Sequence, residues 1–174
     1  YLALAFRLLE PAPARMIAIG GLSGTGKSTV AEALAPSLGA APGARILESD
    51  RLRKALYGVS PETRLGPEAY APQVSRHVYE TMRLRAEIIL AGGSTALVEA
   101  VFLDEGERAA LEALAQRLGI PFCGIWLEAG EAALRERVAA RRGGASDAGL
   151  DVLAGQVARD TGTISWNRIA ADQP

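Results

Sequence analysis

The sequence is short of the residues that build the commonest catalytic and metal centres. One cysteine, Cys123, excludes an intramolecular disulfide and a cysteine-rich zinc site. With a single histidine, His77, a His-based metal cage or a Ser-His-Asp triad would need unusual substitutes. Lysine occurs twice, at Lys27 and Lys54, against 17 arginines, so lysine-dependent chemistry has two candidates. No apolar run reaches the ~18 residues of a membrane span. Neither sign of charge dominates: 19 basic and 20 acidic residues leave a net charge of -1. That balance argues against nucleic acid or a membrane surface as partner, both of which usually call for a basic excess. What is there, 174 residues that are 49% hydrophobic and 22% charged, fits one compact domain and excludes a disordered chain. A soluble protein of a reducing, cytoplasmic compartment is expected.

The chain opens at Tyr1 with no secretory pattern. Residues 1 to 9 read as a helical piece, which Glu10-Pro11-Ala12-Pro13-Ala14 breaks. Residues 1–14 are thus an N-terminal helix and linker: the end of an upstream domain, or the frayed start of this one. From residue 15 to 174 short apolar runs alternate with helical patterns. Strands are expected at Met16 to Gly20, Arg45 to Glu48, Thr95 to Val98, Pro121 to Leu127 and Ile164 to Ile169. Helices are expected at 27–38, 50–57, 67–91, 105–118, 131–142 and 149–160. Strands apolar on both faces and joined by helices imply an α/β fold, a parallel sheet covered on each side. Ligands of such sheets bind at the carboxyl ends of the strands. Cys123 reads as a small hydrophobe in a buried strand, Trp126 and Trp166 as core or edge aromatics, and His77 as a packing or surface residue.

The strongest motif is Gly21-Leu22-Ser23-Gly24-Thr25-Gly26-Lys27-Ser28, which satisfies G-x-x-x-x-G-K-[ST] between a strand and a helix. Glycines there permit backbone conformations that a side chain blocks, and leave peptide N–H groups free to face an anion. The helix N-terminus adds unsatisfied donors and a positive dipole end. Gly21, Ser23, Gly24, Thr25, Gly26, Lys27, Ser28 and Thr29 are therefore the expected nucleotide-binding residues. Lys27 serves the β- and γ-phosphates and the Ser28 hydroxyl ligates Mg²⁺. The Asn-Lys-x-Asp element of GTPases is absent, since Lys54 follows Arg53, and ring-forming ATPases need a longer chain. At the end of the second strand stands Ser49-Asp50-Arg51-Leu52-Arg53. Asp50 is placed to accept the proton of an attacking hydroxyl, or to cap the helix, or both. Arg53, about one turn on, is placed to hold an anionic or polar group.

Asp-x-x-Arg after the second strand resembles a family of P-loop kinases sometimes described as an AAA-type kinase domain. Its relatives include the kinase domain of polynucleotide kinase, gluconate kinase, chloramphenicol phosphotransferase and the zeta toxins. The resemblance covers nearly all of residues 15 to 169. It implies a three-layer P-loop NTPase fold with a five-stranded parallel sheet in the order 2-3-1-4-5. It also implies Asp50 as general base and Arg53 as an acceptor contact. Leu97-Val98-Glu99-Ala100-Val101-Phe102, followed by Arg108, looks like the family's third-strand pattern, with Glu99 where relatives commonly carry Asp. Glu99 binds metal through water, binds substrate, or faces solvent as a strand-end carboxylate. Leu134 to Arg142 resembles the helix that leads into the lid of these kinases. Arg137 and Arg141, four apart, are expected on one helix face, aimed at the transferring phosphate or solvated. Gly143 to Ala148 is the expected lid loop, with Ser146 or Asp147 capping the next helix, and Gly58 to Gln73 an acceptor-site flap. The expected activity is ATP- and Mg²⁺-dependent transfer of the γ-phosphoryl group to a hydroxyl of a small molecule. Rivals are a regulatory ATP-binding module and a toxin-like or polynucleotide-end kinase. The resemblance further implies a possible fused upstream domain of the aminoglycoside-phosphotransferase type.

Overall fold

The computed structural model of the chain describes residues 1, 2, 6 and 12–172. The helix and linker expected over 1–14 therefore lie largely outside the described residues. Five strands form one parallel sheet: β1 (Met16–Gly21), β2 (Arg45–Glu48), β3 (Ala96–Glu99), β4 (Phe122–Glu128) and β5 (Asn167–Ala170). Their order is β2-β3-β1-β4-β5, the expected one. Six α-helices intervene: α1 (Lys27–Leu34), α2 (Ser49–Leu56), α3 (Pro72–Ala91), α4 (Glu105–Leu118), α5 (Glu131–Ala140) and α6 (Leu150–Val157).

Two of the three inner strands, β1 and β3, explain the layering. Every residue of β1 and β3 is buried. Successive side chains point to opposite faces, so β1 contributes to two cores at once. Met16 and Ala18 pack with Val98 of β3, with Val78, Met82 and Ala86 of α3, and with Leu111 of α4. Ile17 and Ile19 pack on the other face with Leu97, Leu127 and Ala31 of α1. Burial of each such aliphatic side chain stabilises by about 1.5–3 kcal/mol, so both helix layers are anchored through the strand that feeds the phosphate loop. β5 is the contrast, an edge strand with all four residues exposed.

Several boundaries differ from expectation for identifiable reasons. The helix after the phosphate loop ends at Leu34, and Ala35–Ser37 continue as a single 3-10 turn where Pro36 removes a backbone donor. The segment expected as one helix over 67–91 is a 3-10 turn (Pro67–Tyr70) followed by α3, because Pro72 pushes Ala71 out of the helical region. Cys123 is exposed rather than buried. Its neighbour Gly124 is covered instead, by the indole of Trp166, which immediately precedes β5. Trp166 Nε1 donates to Glu112 Oε1 at 2.7 Å, and its ring meets Phe102 edge-on at 5.3 Å.

A Cβ built on Gly124 lies 2.4 Å from the Trp166 ring, closer than any carbon contact allows. Gly124→Ala should therefore displace that indole and destabilise the fold by about 1–3 kcal/mol. The urea midpoint followed by tryptophan fluorescence measures this, and an unchanged midpoint would contradict the packing described.

Candidate active site

Parallel register brings the site together at the carboxyl edge of the sheet. Ile19 of β1 pairs with Glu99 of β3, and Glu99 pairs with Glu48 of β2. The residues that follow these three strands, the phosphate loop, Ser49-Asp50 and Ala100-Val101, line one cavity of about 530 Å³. In the order 2-3-1-4-5 the chain moves to one side of β1 for β2 and β3, and to the other for β4 and β5. That reversal leaves a crevice at the carboxyl end of β1.

The loop depends on backbone that only glycine adopts readily. Gly21 has φ 138°, and a Cβ there meets the Leu127 carbonyl oxygen at 2.5 Å. Gly26, which caps α1, has φ 87°. The Thr25 hydroxyl and Lys27 Nζ donate to the Leu22 carbonyl at 2.9 and 3.0 Å, which ties the loop across itself. Ser23, Gly24, Gly26, Lys27, Ser28 and Thr29 line the cavity, whereas Gly21 and Thr25 shape the loop from behind it. Lys27 is buried, and desolvation holds its ammonium below the usual lysine range despite the opposing charges of Glu99 and Asp50.

Glu99 does not face solvent: it is buried at 7% exposure. Burial pushes its carboxyl up to about 7, against the pull of Lys27 and of the Ser28 hydroxyl beside it. Its Oε2 has no hydrogen-bond partner. An orphaned carboxylate oxygen next to a P-loop serine suits a hard divalent cation such as Mg²⁺, which takes one or two protein ligands and completes its shell with phosphate and water. Among the described residues no three acidic, histidine or cysteine side chains form a metal cage on their own.

Asp50 lies in the first turn of α2, whose N-cap is Glu48. Burial raises the Asp50 carboxyl, while the Ser146 hydroxyl, Lys27 and Arg53 draw it back. A second cavity of about 420 Å³ opens on its far side, and Ser23, Ser49, Asp50, Val101 and Ser146 line both. Arg53 lines the second cavity. It is 5% exposed, donates from one terminal nitrogen to the Ala69 carbonyl at 2.6 Å, and lies 4.6 Å from the centre of the Tyr70 ring. Its Nε has no partner. The expected flap is thus present as a wall of this cavity, through Arg64, Leu65, Pro67 and Tyr70.

The lid departs from the sequence expectation in two ways. Helix α5 stops at Ala140, and Arg141 follows in extended conformation with ψ 129°, so Arg137 and Arg141 do not share a helix face. Arg137 is engaged by backbone: it donates to the carbonyls of Ala171 and Asp172 at 2.6 and 2.9 Å. Arg141 keeps one buried terminal nitrogen without a partner and lines the phosphate cavity, where its charge lowers the Lys27 pKa. The residue capping α6 is Gly149, not Ser146 or Asp147. Ser146 faces Asp50, and Asp147 binds Lys54. Arg108, in the third-strand pattern, is structural. It is 1% exposed and donates to the carbonyls of Phe102, Leu103, Thr161 and Thr163. That clamp holds Phe102 at φ 49°, an unusual conformation for an aromatic residue.

Sequence reasoning passed over Gln156, gave Lys54 no partner and read Asp147 only as a helix cap. The Gln156 side-chain oxygen accepts from the Ser23 N–H at 2.9 Å, across 133 residues of chain. Only the scarcity of lysine marked Lys54, and no spacing marked Gln156 or the pairing of Asp147. His77 is exposed on α3 and takes no part.

A carboxyl raised on folding takes up a proton as the chain folds. Its contribution favours the folded state below the ordinary carboxylate range and is lost as pH rises through about 7. In metal-free protein, Glu99→Gln should be more stable than the parent near pH 8 by about 1–3 kcal/mol, and the advantage should vanish near pH 5. Urea midpoints at the two pH values test this; an equal difference at both would contradict the buried charge.

Comparison with known proteins places this arrangement. The chain is 27% identical over 178 aligned positions to an uncharacterized protein of Mycobacterium tuberculosis and to its counterpart in Mycobacterium bovis. All of this chain is aligned but only 35% of those proteins, so it spans about a third of their length. Among solved structures, a gluconokinase from Sinorhizobium meliloti superposes with a TM-score of 0.59 at 23% identity, over 95% of this chain and 86% of the other. A sugar kinase from Janibacter gives 0.61 at 19% identity, over 93% and 88%. The APS kinase of Mycobacterium tuberculosis, solved with AMPPNP and APS, gives 0.57 at 20%, over 94% and 92%. These likenesses are of fold. Over residues 16–161 the sequence matches the AAA domain family, and the chain belongs to that family, with the phosphate loop and sheet order of a P-loop fold.

Proposed function

We propose that the chain transfers the γ-phosphoryl group of ATP to a hydroxyl of a small molecule. The observation that carries this reading is the meeting of two cavities at Asp50, one floored by the phosphate loop and one walled by Arg53 and Tyr70. A donor and an acceptor bound in them would face each other across a single carboxylate. The names of the structural neighbours, a gluconokinase, a sugar kinase and an APS kinase, support the same reaction class.

In this reading the loop N–H groups and Lys27 hold the β- and γ-phosphates, and Ser28 with Glu99 holds Mg²⁺. The bound Mg²⁺ supplies charge neutralisation at the phosphate oxygens. Asp50 accepts the proton of the acceptor hydroxyl as its oxygen bonds to the γ-phosphorus. The bond from that phosphorus to the bridging oxygen breaks, and ADP leaves with the electron pair. Burial makes Asp50 a stronger base than an exposed aspartate. Arg141, with a free nitrogen over the phosphate cavity, stabilises the equatorial oxygens. Arg137 also lines that cavity, but its guanidinium is engaged by the carbonyls of the chain after β5. The acceptor lies against Arg53 and Tyr70, and a cavity of about 420 Å³ suits a small metabolite.

ADP release over a panel of hydroxyl compounds, with calorimetry of Mg-ATP binding, tests the assignment. Asp50→Asn should lower kcat by about 10²–10⁴ with ATP affinity nearly unchanged, and Lys27→Ala should abolish turnover. Arg141→Ala should lower kcat by about 10²–10³, and Arg137→Ala by much less. Hydrolysis to water alone across the panel would favour a regulatory ATPase, and full activity in Asp50→Asn would refute the base.

A further inference from the structure

Asp147 sits in the lid loop between α5 and α6, 93 residues along the chain from Lys54, and gathers donors from three places. Lys54 Nζ reaches both of its oxygens at 2.7 Å. The Tyr70 hydroxyl donates to Oδ2 at 2.7 Å, and the Leu65 N–H donates to the same oxygen at 2.9 Å. Lys54 also donates to the Thr63 carbonyl. The ion pair is enclosed, with side-chain exposures of 1% for Lys54 and 9% for Asp147. Removing one partner of so buried a pair strands the other charge, so the contact is strongly directional in its effect.

The position of the clamp gives it a consequence at the reacting centre. Lys54 lies four residues after Asp50 on α2, so the two share one helix face. Asp147 therefore draws the lid onto the helix that carries Asp50, and its neighbour Ser146 comes to face the Asp50 carboxylate. Through Leu65 and Tyr70 it also fixes the flap that walls the 420 Å³ cavity, and Tyr70 in turn stacks on Arg53. None of its partners belongs to the phosphate loop.

We propose that Asp147, paired with Lys54, is the positioning residue that assembles the acceptor half of the site and leaves the nucleotide half unaffected. This rests on the phosphotransferase reading given above. Loss of the clamp should loosen flap and lid together and weaken acceptor binding, while the phosphate loop keeps its geometry.

Hydrogen exchange and steady-state kinetics on the full chain test the proposal. In Asp147→Asn, amides of peptides covering 60–70 and 144–150 should exchange about tenfold faster, with the peptide covering 21–29 unchanged. The acceptor KM should rise by about tenfold with the ATP KM within about twofold, using the hydroxyl compound that the parent phosphorylates best. Tyr70→Phe keeps the ion pair and should fold in any case. It should move the same peptides and the acceptor KM in the same direction, by about threefold. Parent-like exchange in the flap, acceleration spread evenly over all peptides, or an equal rise in both KM values would overturn the clamp. A parent that binds Mg-ATP but phosphorylates nothing would defeat the kinase reading instead, and the exchange data would still decide whether Asp147 joins lid to flap.

Discussion

A buried ammonium among carboxylates organises this molecule. Lys27 lies at the start of α1, Glu99 ends β3 and Asp50 opens α2, and all three come within electrostatic reach at the rim of the sheet. Desolvation opposes charge on each of them. A lone buried charge would neutralise itself, whereas a cluster of mixed sign holds its ionisation in balance and awaits a multivalent ligand. Nucleotide phosphates and a cation meet that description, one bringing negative and the other positive charge.

The same charge economy explains the arginines. Arg108 donates from both terminal nitrogens to four carbonyls and serves as a peg between the β3 loop and the segment before β5; its Nε lacks a partner, but it lines neither cavity. Arg137 is likewise occupied, against the chain that follows β5. Arg53 and Arg141 retain buried nitrogens without partners, one facing each cavity. Guanidinium groups keep their charge when buried, so an unpartnered N–H at a cavity wall is an open valence for an anionic group. The segment after α5 covers both cavities by contacts from three successive stretches: Arg141 at the cavity of the phosphate loop, Ser146 and Asp147 at the helix and flap, and Gln156 at Ser23.

Much of this was legible beforehand, and the misses share a cause. The phosphate loop reads directly because its glycines and lysine are consecutive, and the position of Asp50 at the cavity rim reads because it sits where a strand becomes a helix. Arg141 was placed inside the helix because a helix pattern does not announce its last residue; it lies one step past Ala140 in extended backbone, though it still lines the same cavity as Arg137. Cys123 was misread because its strand is covered unevenly, with one indole lying across Gly124 next door.

By itself the sequence determined the parallel α/β architecture, the anion-binding bend and the place of Asp50 at the junction of strand and helix, because these follow from local periodicity, glycine placement and element ends. The pairing of Lys54 with Asp147, the reach of Gln156 to Ser23 and the division of work among the arginines were decided by the tertiary structure alone. Each joins residues far apart in the chain, and which buried charge finds a partner is settled only when the helices pack.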